Sequence, residues 1–202
     1  HDYQQQPINI ALTTPATVAV GTIDRRPYVV NGEKAQNFVG LSRGGFGNPF
    51  EVTTRSKKPL ASDITDSIVT SMKSKGVDAK GIELKPALSP DEAKAAVRAA
   101  GTQRSVVITL LEWKADAMVN VGLNYDLRMQ VFDEAGNILT SKQQQGREKL
   151  GGADAFKPGG GAQVLPRFSR MMEVLFQDPE VVKALQPTAP KASAARRSAR
   201  WR

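Results

Sequence analysis

A strict alternation of apolar and polar residues between positions 119 and 131 is the pattern that most constrains this fold. Its apolar members all have odd numbers: Val119, Val121, Leu123, Tyr125, Leu127, Met129 and Val131. The polar residues between them are Asn120, Asn124, Asp126, Arg128 and Gln130. Because side chains alternate between the two faces of a strand, this segment predicts a long strand with one buried and one wet face. Turn residues at 133–137 and a further strand pattern from Ile138 then predict a β-hairpin.

The other periodic segments predict an α+β domain. Further strands are predicted at 17–23, 77–84, 105–113 and 138–147. Helices are predicted at 59–75, 89–100, 162–177 and 180–185. The apolar run 106–111 predicts a strand that is buried on both faces and therefore central. We expect a single domain with a mixed, largely antiparallel sheet, helices packed on one face and a long Gly-rich loop.

Two helix starts carry specific capping signals. Ser89 precedes Pro90 and two acidic residues, which is typical of an N-cap followed by a first-turn proline. Asp178 precedes Pro179 and is expected to cap the last short helix in the same way.

The chain divides by composition into three parts. Residues 1–16 are expected to form an extended N-terminal segment, 17–186 the α+β domain and 187–202 a flexible basic tail. The polar start of the chain suits a region that follows a cleaved export signal, although an arbitrary start point explains it equally well. No apolar stretch reaches the length of a membrane helix.

The positive charge is concentrated in the tail. The chain has 28 Lys and Arg against 20 Asp and Glu, a net charge of +8. Five of the cations lie in the tail: Lys191, Arg196, Arg197, Arg200 and Arg202. Their expected role is attraction to an anionic lipid or polysaccharide, and the alternative is a solubilising extension. Nucleic acid is disfavoured because Trp201 is the tail's one aromatic residue available for base stacking.

Composition removes most catalytic and metal chemistry. The 202 residues include no cysteine and one histidine, His1. This excludes disulfides, a cysteine nucleophile, a thiolate zinc site, a histidine-based triad and a multi-histidine metal site. We therefore expect no cofactor, no metal and no catalytic residue. The least favoured function is a carboxylate-dependent hydrolase that uses Glu112 and Asp116, two residues that also fit a solvated rim with Lys114.

A glycine-rich stretch at 40–50 is the strongest candidate for partner binding. Its candidate residues, together with one aromatic residue elsewhere, are Arg43, Gly44, Gly45, Phe46, Gly47, Asn48, Phe50 and Trp113. The next helix begins about ten residues later, so the stretch does not fit a phosphate-binding loop, which opens directly into a helix. Two interpretations remain. The stretch is either a surface loop pinned to the body by Phe46 and Phe50, or an ordered loop that presents Arg43 and Phe46 to a partner.

Three further sets of residues have structural interpretations. Trp113 is expected to form an amphipathic lid at the sheet edge. The charges at 24–26 and at 57–58 are interpreted as solvated turn charges.

The order of these motifs resembles a family of Gram-negative envelope lipoproteins that is similar in layout to the YajG-type group. The resemblance rests on Val18-Ala19-Val20, Asp24-Arg25-Arg26, the 40–50 stretch, and the segments 111–116, 124–127 and 150–152. It covers about residues 15–186 and carries no catalytic motif. It implies export to the periplasm or attachment to the periplasmic face of the outer membrane, other envelope proteins as partners, and an accessory or structural role rather than catalysis. The printed chain departs from the family in having no cysteine that could carry a lipid.

Overall fold

The computed structural model describes residues 1–12, 17–43, 46–117, 120–152 and 163–187. These residues form seven strands and five helices in one α+β domain. The strands are β1 (Val18–Asp24), β2 (Phe38–Arg43), β3 (Pro49–Thr53), β4 (Ala79–Glu83), β5 (Arg104–Ala117), β6 (Asn120–Asp133) and β7 (Ile138–Gly152). The helices are α1 (Pro27–Val30), α2 (Leu60–Ser74), α3 (Pro90–Arg98), α4 (Val164–Gln177) and α5 (Pro179–Leu185).

The long strand β5 organises the sheet because it changes partner along one of its edges. Its first half pairs in parallel with β1, up to the register Asp24 to Leu110. Its last residues pair in parallel with β2, from the register Gly40 to Ala115. The opposite edge of β5 pairs with β6 over nearly its whole length, and β7 follows β6. β4 and β3 extend the sheet beyond β1 and β2, so one end of the sheet is divided into two branches.

One face of the sheet carries the main core. The apolar side chains of α2, α4 and α5 pack there against the alternating residues of β5 and β6, including Ile108, Leu123 and Met129. Burial of this many aliphatic and aromatic groups is the dominant stabilising term of the fold. The predicted alternation of β6 is confirmed, since Val121, Leu123, Leu127, Met129 and Val131 are all fully buried.

The N-terminal segment belongs to this core. Tyr3, Ile8 and Ile10 are at most 3% exposed. The amide of Ile8 donates to the hydroxyl of Ser71 in α2, and the amide of Asn9 donates to Glu173 in α4. The segment therefore lies across both helices and closes the core between them.

The predicted fold class is confirmed, with one departure in the helix arrangement. Helix α3 packs on the opposite face, where Ala93 and Val97 meet Ala19, Val107 and Phe132. This happens because β1 and the first half of β5 are apolar on both faces, so their second face also needs a cover. Both capping predictions are confirmed as well: Ser89 forms a capping box with Glu92, and Asp178 accepts from two amides at the start of α5.

Candidate interaction site

Among the described residues, one edge of β5 has no strand partner between Leu110, where its pairing with β1 ends, and Ala115, where its pairing with β2 begins. The side chain of Arg26 fills this gap. Its guanidinium donates to the backbone carbonyls of Phe38 at 2.6 Å, Trp113 at 3.2 Å and Gln36 at 3.2 Å. It also makes a bidentate ion pair with Asp24, with both side chains at most 1% exposed. Arg26 thus satisfies carbonyls that no neighbouring strand reaches and fixes where β2 starts.

These buried charges correct the sequence interpretation of Asp24 and Arg26. They are not solvated turn charges, because the turn after β1 folds into the junction between the two branches of the sheet. Arg25 reaches the carbonyls of Pro86 and Leu88 instead. Lys57 and Lys58 are exposed, as expected of turn charges.

The glycine-rich stretch forms the hairpin of β2 and β3, so the expectation of an irregular loop is wrong at both ends. Gly40 allows the close pairing of β2 with β5, since a Cβ at this position would lie 2.2 Å from the carbonyl oxygen of Ala115. A sequence pattern rich in glycine does not distinguish a loop from a strand that must approach a neighbouring backbone closely.

An ion pair holds the outer end of this hairpin. Arg43 donates to both oxygens of Asp116 in β5, at 3.0 and 2.9 Å. The hydrogen bonds from Arg43 lower the pKa of Asp116, burial opposes this shift, and the charges of Arg43, Lys114 and Arg147 add to it. Asp116 is therefore ionised at neutral pH and keeps the bidentate geometry.

Two phenylalanines project from the hairpin tip. Phe46 is 98% exposed and Phe50 is 61% exposed. They do not pin the segment to the body, because that role belongs to Arg26 and Arg43. Gly47 adopts a φ of +80° in the turn, and Asn48 beside it is exposed. Gly44 and Gly45 lie outside the described residues.

Trp113 lies in the core and not at the sheet edge, so its predicted placement is wrong. It is fully buried, its indole donates to the hydroxyl of Tyr3 at 2.8 Å, and its ring meets Phe168 edge-on. Trp113 is buried because Tyr3 of the N-terminal segment and Phe168 of α4 cover this face of β5. Trp113 presents no surface to a partner and instead joins the N-terminal segment to α4.

The carboxylates considered for hydrolysis have separate partners. Glu112 accepts from the hydroxyl of Tyr28 at 2.5 Å and from the amide of Trp113, whereas Asp116 binds Arg43. The structure therefore does not bring the two carboxylates together on one bond to be cleaved. Within the described ranges, no three acidic or histidine side chains are grouped as metal ligands.

A cleft of about 860 Å³ lies beside the ends of β1 and β4 and the start of α2. Its floor holds Thr22 and Thr65, whose hydroxyls are hydrogen-bonded to each other at 2.9 Å. Of its charged lining residues, Asp24 binds Arg26 and Asp66 binds Lys58. No local sequence pattern indicates this cleft, because its lining comes from five separate parts of the chain.

The five tail cations, Lys191, Arg196, Arg197, Arg200 and Arg202, lie outside the described residues. In the part of the chain that is described, no helix is both long and apolar enough to span a membrane.

Comparison with protein-family models gives no match, and comparison with curated proteins gives none. Among solved structures, a DUF330 protein from Xanthomonas campestris has a TM-score of 0.54 at 8% identity, over 88% of this chain and 94% of that one. A single-residue variant of the PelC dodecamer from Paraburkholderia phytofirmans has a TM-score of 0.40 at 14% identity, over 90% of this chain and 97% of that one. The lipoprotein GNA1162 from Neisseria meningitidis has a TM-score of 0.32 at 13% identity, over 78% and 98%. The first of these structures shares the overall fold of this chain. The other two are too dissimilar to support a conclusion.

Proposed function

We propose that this chain is a non-enzymatic accessory protein of a Gram-negative envelope assembly and that it binds a partner protein through the tip of the β2–β3 hairpin. The observation that carries the proposal is the exposure of Phe46 and Phe50 on a hairpin that is anchored at both ends. The start of the hairpin is held by Arg26, and its outer end by the pair of Arg43 and Asp116.

Exposed aromatic side chains on a stiff support suit protein binding for two reasons. Each buries a large apolar area when a partner covers it, and aromatic residues are enriched among those that dominate binding energy. The strands β2 and β3, which carry these residues, are already paired, so they lose little conformational entropy on association.

The location in the envelope is supported by the motif resemblance to the YajG-type group. The finer assignments, a structural subunit at the periplasmic face of the outer membrane, follow from the same resemblance. The absence of catalysis is supported by the residue types of the chain, with no cysteine and one histidine, and by the separate engagement of Glu112 and Asp116.

The test is photo-crosslinking of the full chain in its native cells. A photoreactive amino acid replaces Phe46 in one variant and Val174 in the other, an apolar residue of α4 that is 47% exposed. We expect one defined adduct with an envelope protein from position 46 and none from position 174. Phe50→Ala in the position-46 variant should reduce its yield several-fold.

Two outcomes would contradict the proposal. One is recovery of the position-46 variant only as the free chain. The other is the same set of adducts from positions 46 and 174, which would indicate random encounters.

A further inference from the structure

The open face of the long strands contains a second depression, which we call the Gly122 groove. It has a volume of about 470 Å³ and lies on the sheet face opposite α4. Its lining residues are Lys114, Asp116, Asn120, Gly122, Asn124, Arg147, Glu148 and Lys149. Helix α3 covers the other end of this face, around Phe132, and leaves the end with the groove open.

The strand register places the groove side chains in two adjacent rows. One row runs across the three strands through Lys114, Asn124 and Arg147. The next runs through Asp116, Gly122 and Lys149, about 7 Å further along the strands. The groove is hollow because Gly122 contributes no side chain to the middle of its row.

The groove carries an excess of positive charge. Asp116 is already bound by Arg43. The carboxylate of Glu148 turns to the opposite face, where it accepts from Arg167 at 2.6 Å and from Tyr125 at 2.7 Å. Lys114, Arg147 and Lys149 form no ion pair or hydrogen bond with any described residue. Lys114 and Arg147 act on Asp116 through their charge and lower its pKa. The groove still presents three cations to one carboxylate, which Arg43 already binds.

The polar neutral groups of the groove are unused as well. The side-chain amides of Asn120 and Asn124 have no partner within the described part of the chain. An amide offers both a donor and an acceptor, which is what a sugar hydroxyl needs, and the adjacent cations suit a carboxylate.

We propose that the Gly122 groove binds an acidic polysaccharide. Lys114, Arg147 and Lys149 form ion pairs with its carboxylates, and the side chains of Asn120 and Asn124 form hydrogen bonds with its hydroxyls. A single polysaccharide chain is narrow enough to enter the groove. The flat surface of a membrane cannot reach the floor of the groove at Gly122. This proposal rests on residues other than those of the hairpin tip and the basic tail.

The test measures binding of the full chain to a short oligogalacturonate, with a neutral maltooligosaccharide of the same length as the reference. We expect binding of the acidic oligomer that weakens as salt concentration rises. Replacing Lys114, Arg147 and Lys149 together by Gln should weaken it at least about tenfold, as expected when three charge contacts are lost. The charge-conserving set Lys114→Arg, Arg147→Lys and Lys149→Arg should retain most of it.

A steric variant separates a groove from a merely basic surface. A Cβ at position 122 would meet two backbone oxygens, both at 3.9 Å, so the backbone leaves room for a side chain there and Gly122→Val is the steric variant. It leaves every charge in place but fills the floor, and we expect it to weaken binding several-fold while the melting temperature is kept.

Three controls give the outcomes that would overturn the proposal. The first replaces the exposed residues Lys73, Lys75 and Lys80 by Gln, and an equal loss of binding would show an effect of net charge alone. The second replaces the five tail cations by Gln, and a complete loss there with no effect of Gly122→Val would assign binding to the tail. The third uses phosphatidylglycerol vesicles, and binding to these but not to the oligogalacturonate would identify a membrane as the ligand.

Discussion

Arg26 and Asp24, two residues apart, form a bidentate ion pair that is shielded from solvent. Nη2 of Arg26 lies 2.6 Å from Oδ2 of Asp24, and Nε lies 2.9 Å from Oδ1. The same guanidinium donates to carbonyls of β2 and β5. The pair therefore links the turn after β1 to the point where the hairpin branch leaves the sheet.

Removing one member of this pair should be severely destabilising. Arg26→Met leaves the charge of Asp24 buried without its ion-pair partner and also removes the guanidinium donor to the carbonyl of Phe38. We expect the free energy of unfolding to fall by about 3–5 kcal/mol, measured by urea denaturation. Arg43→Met, which breaks an ion pair about one-third exposed on each side, serves as the surface control and should cost about 1 kcal/mol or less.

The double variant Asp24→Asn with Arg26→Met separates the two costs of that change. It removes both charges, so it should be more stable than Arg26→Met alone. Equal stability of the single and double variants would show that the lost carbonyl contacts, and not the orphaned carboxylate, set the cost.

Tyr3→Phe tests whether the N-terminal segment is a structural part of the core. The substitution keeps the ring against Phe168 but removes the hydroxyl that accepts from the indole of Trp113. An unsatisfied buried donor costs about 1–3 kcal/mol, to be measured by thermal or urea unfolding. The fluorescence of Trp113 should change in the folded state, and an unchanged spectrum and stability would contradict the described packing.

Gly40→Ala should separate the hairpin from β5. The new Cβ would lie 2.2 Å from the carbonyl oxygen of Ala115, a backbone atom that moves only if the strands part. Such overpacking costs about 1–3 kcal/mol. Gly122→Ala is the matched control within the same sheet, because its Cβ meets nothing closer than 3.9 Å. Faster hydrogen exchange in β2 should accompany the first change and not the second.

The ion pair of Glu148 with Arg167 should add stability that depends on pH. Hydrogen bonds from Arg167 lower the pKa of Glu148, burial opposes this shift, and the hydroxyl of Tyr125 adds to it. Since the folded-state pKa lies below the unfolded value of about 4.3, the contribution is present above that value and is lost as pH falls through the folded pKa.

Glu148→Gln checks that pH dependence. At neutral pH it should lower the free energy of unfolding by about 1 kcal/mol or less, because both side chains are partly exposed. As the pH falls below the folded-state pKa of Glu148, the variant and the original chain should converge. A difference that stays constant from neutral to acid pH would assign the effect to packing and not to charge.

Local patterns in the sequence predicted most elements of this fold. The alternation around Leu123 and Leu127 predicts β6, and Ser89 and Asp178 mark two helix starts, because such signals depend only on neighbouring residues. The arrangement of elements around β5 was not predictable in this way. Because β5 changes partner, it pairs with segments that are far apart in the chain. The spacing of apolar residues within a segment does not indicate which distant segment pairs with it.

The two candidate sites also differ in whether the sequence indicates them. The stretch with Phe46 and Phe50 stands out in the sequence, since glycine and exposed aromatic residues leave a local signal. The Gly122 groove does not, because Lys114, Arg147 and Lys149 come together only through the pairing of three strands.

The sequence by itself determined the chemistry open to this protein and the identity of most strands and helices, because both depend on residue types and local spacing. Tertiary structure alone decided which charges are buried and which face solvent. Asp24 and Arg26 look like solvated turn charges in the sequence but lie inside the molecule. Phe46, which the sequence left open as either an anchor or a contact for a partner, is 98% exposed. A residue is buried when segments from elsewhere in the chain pack over it. The pairing of strands across the sheet determines which segments these are.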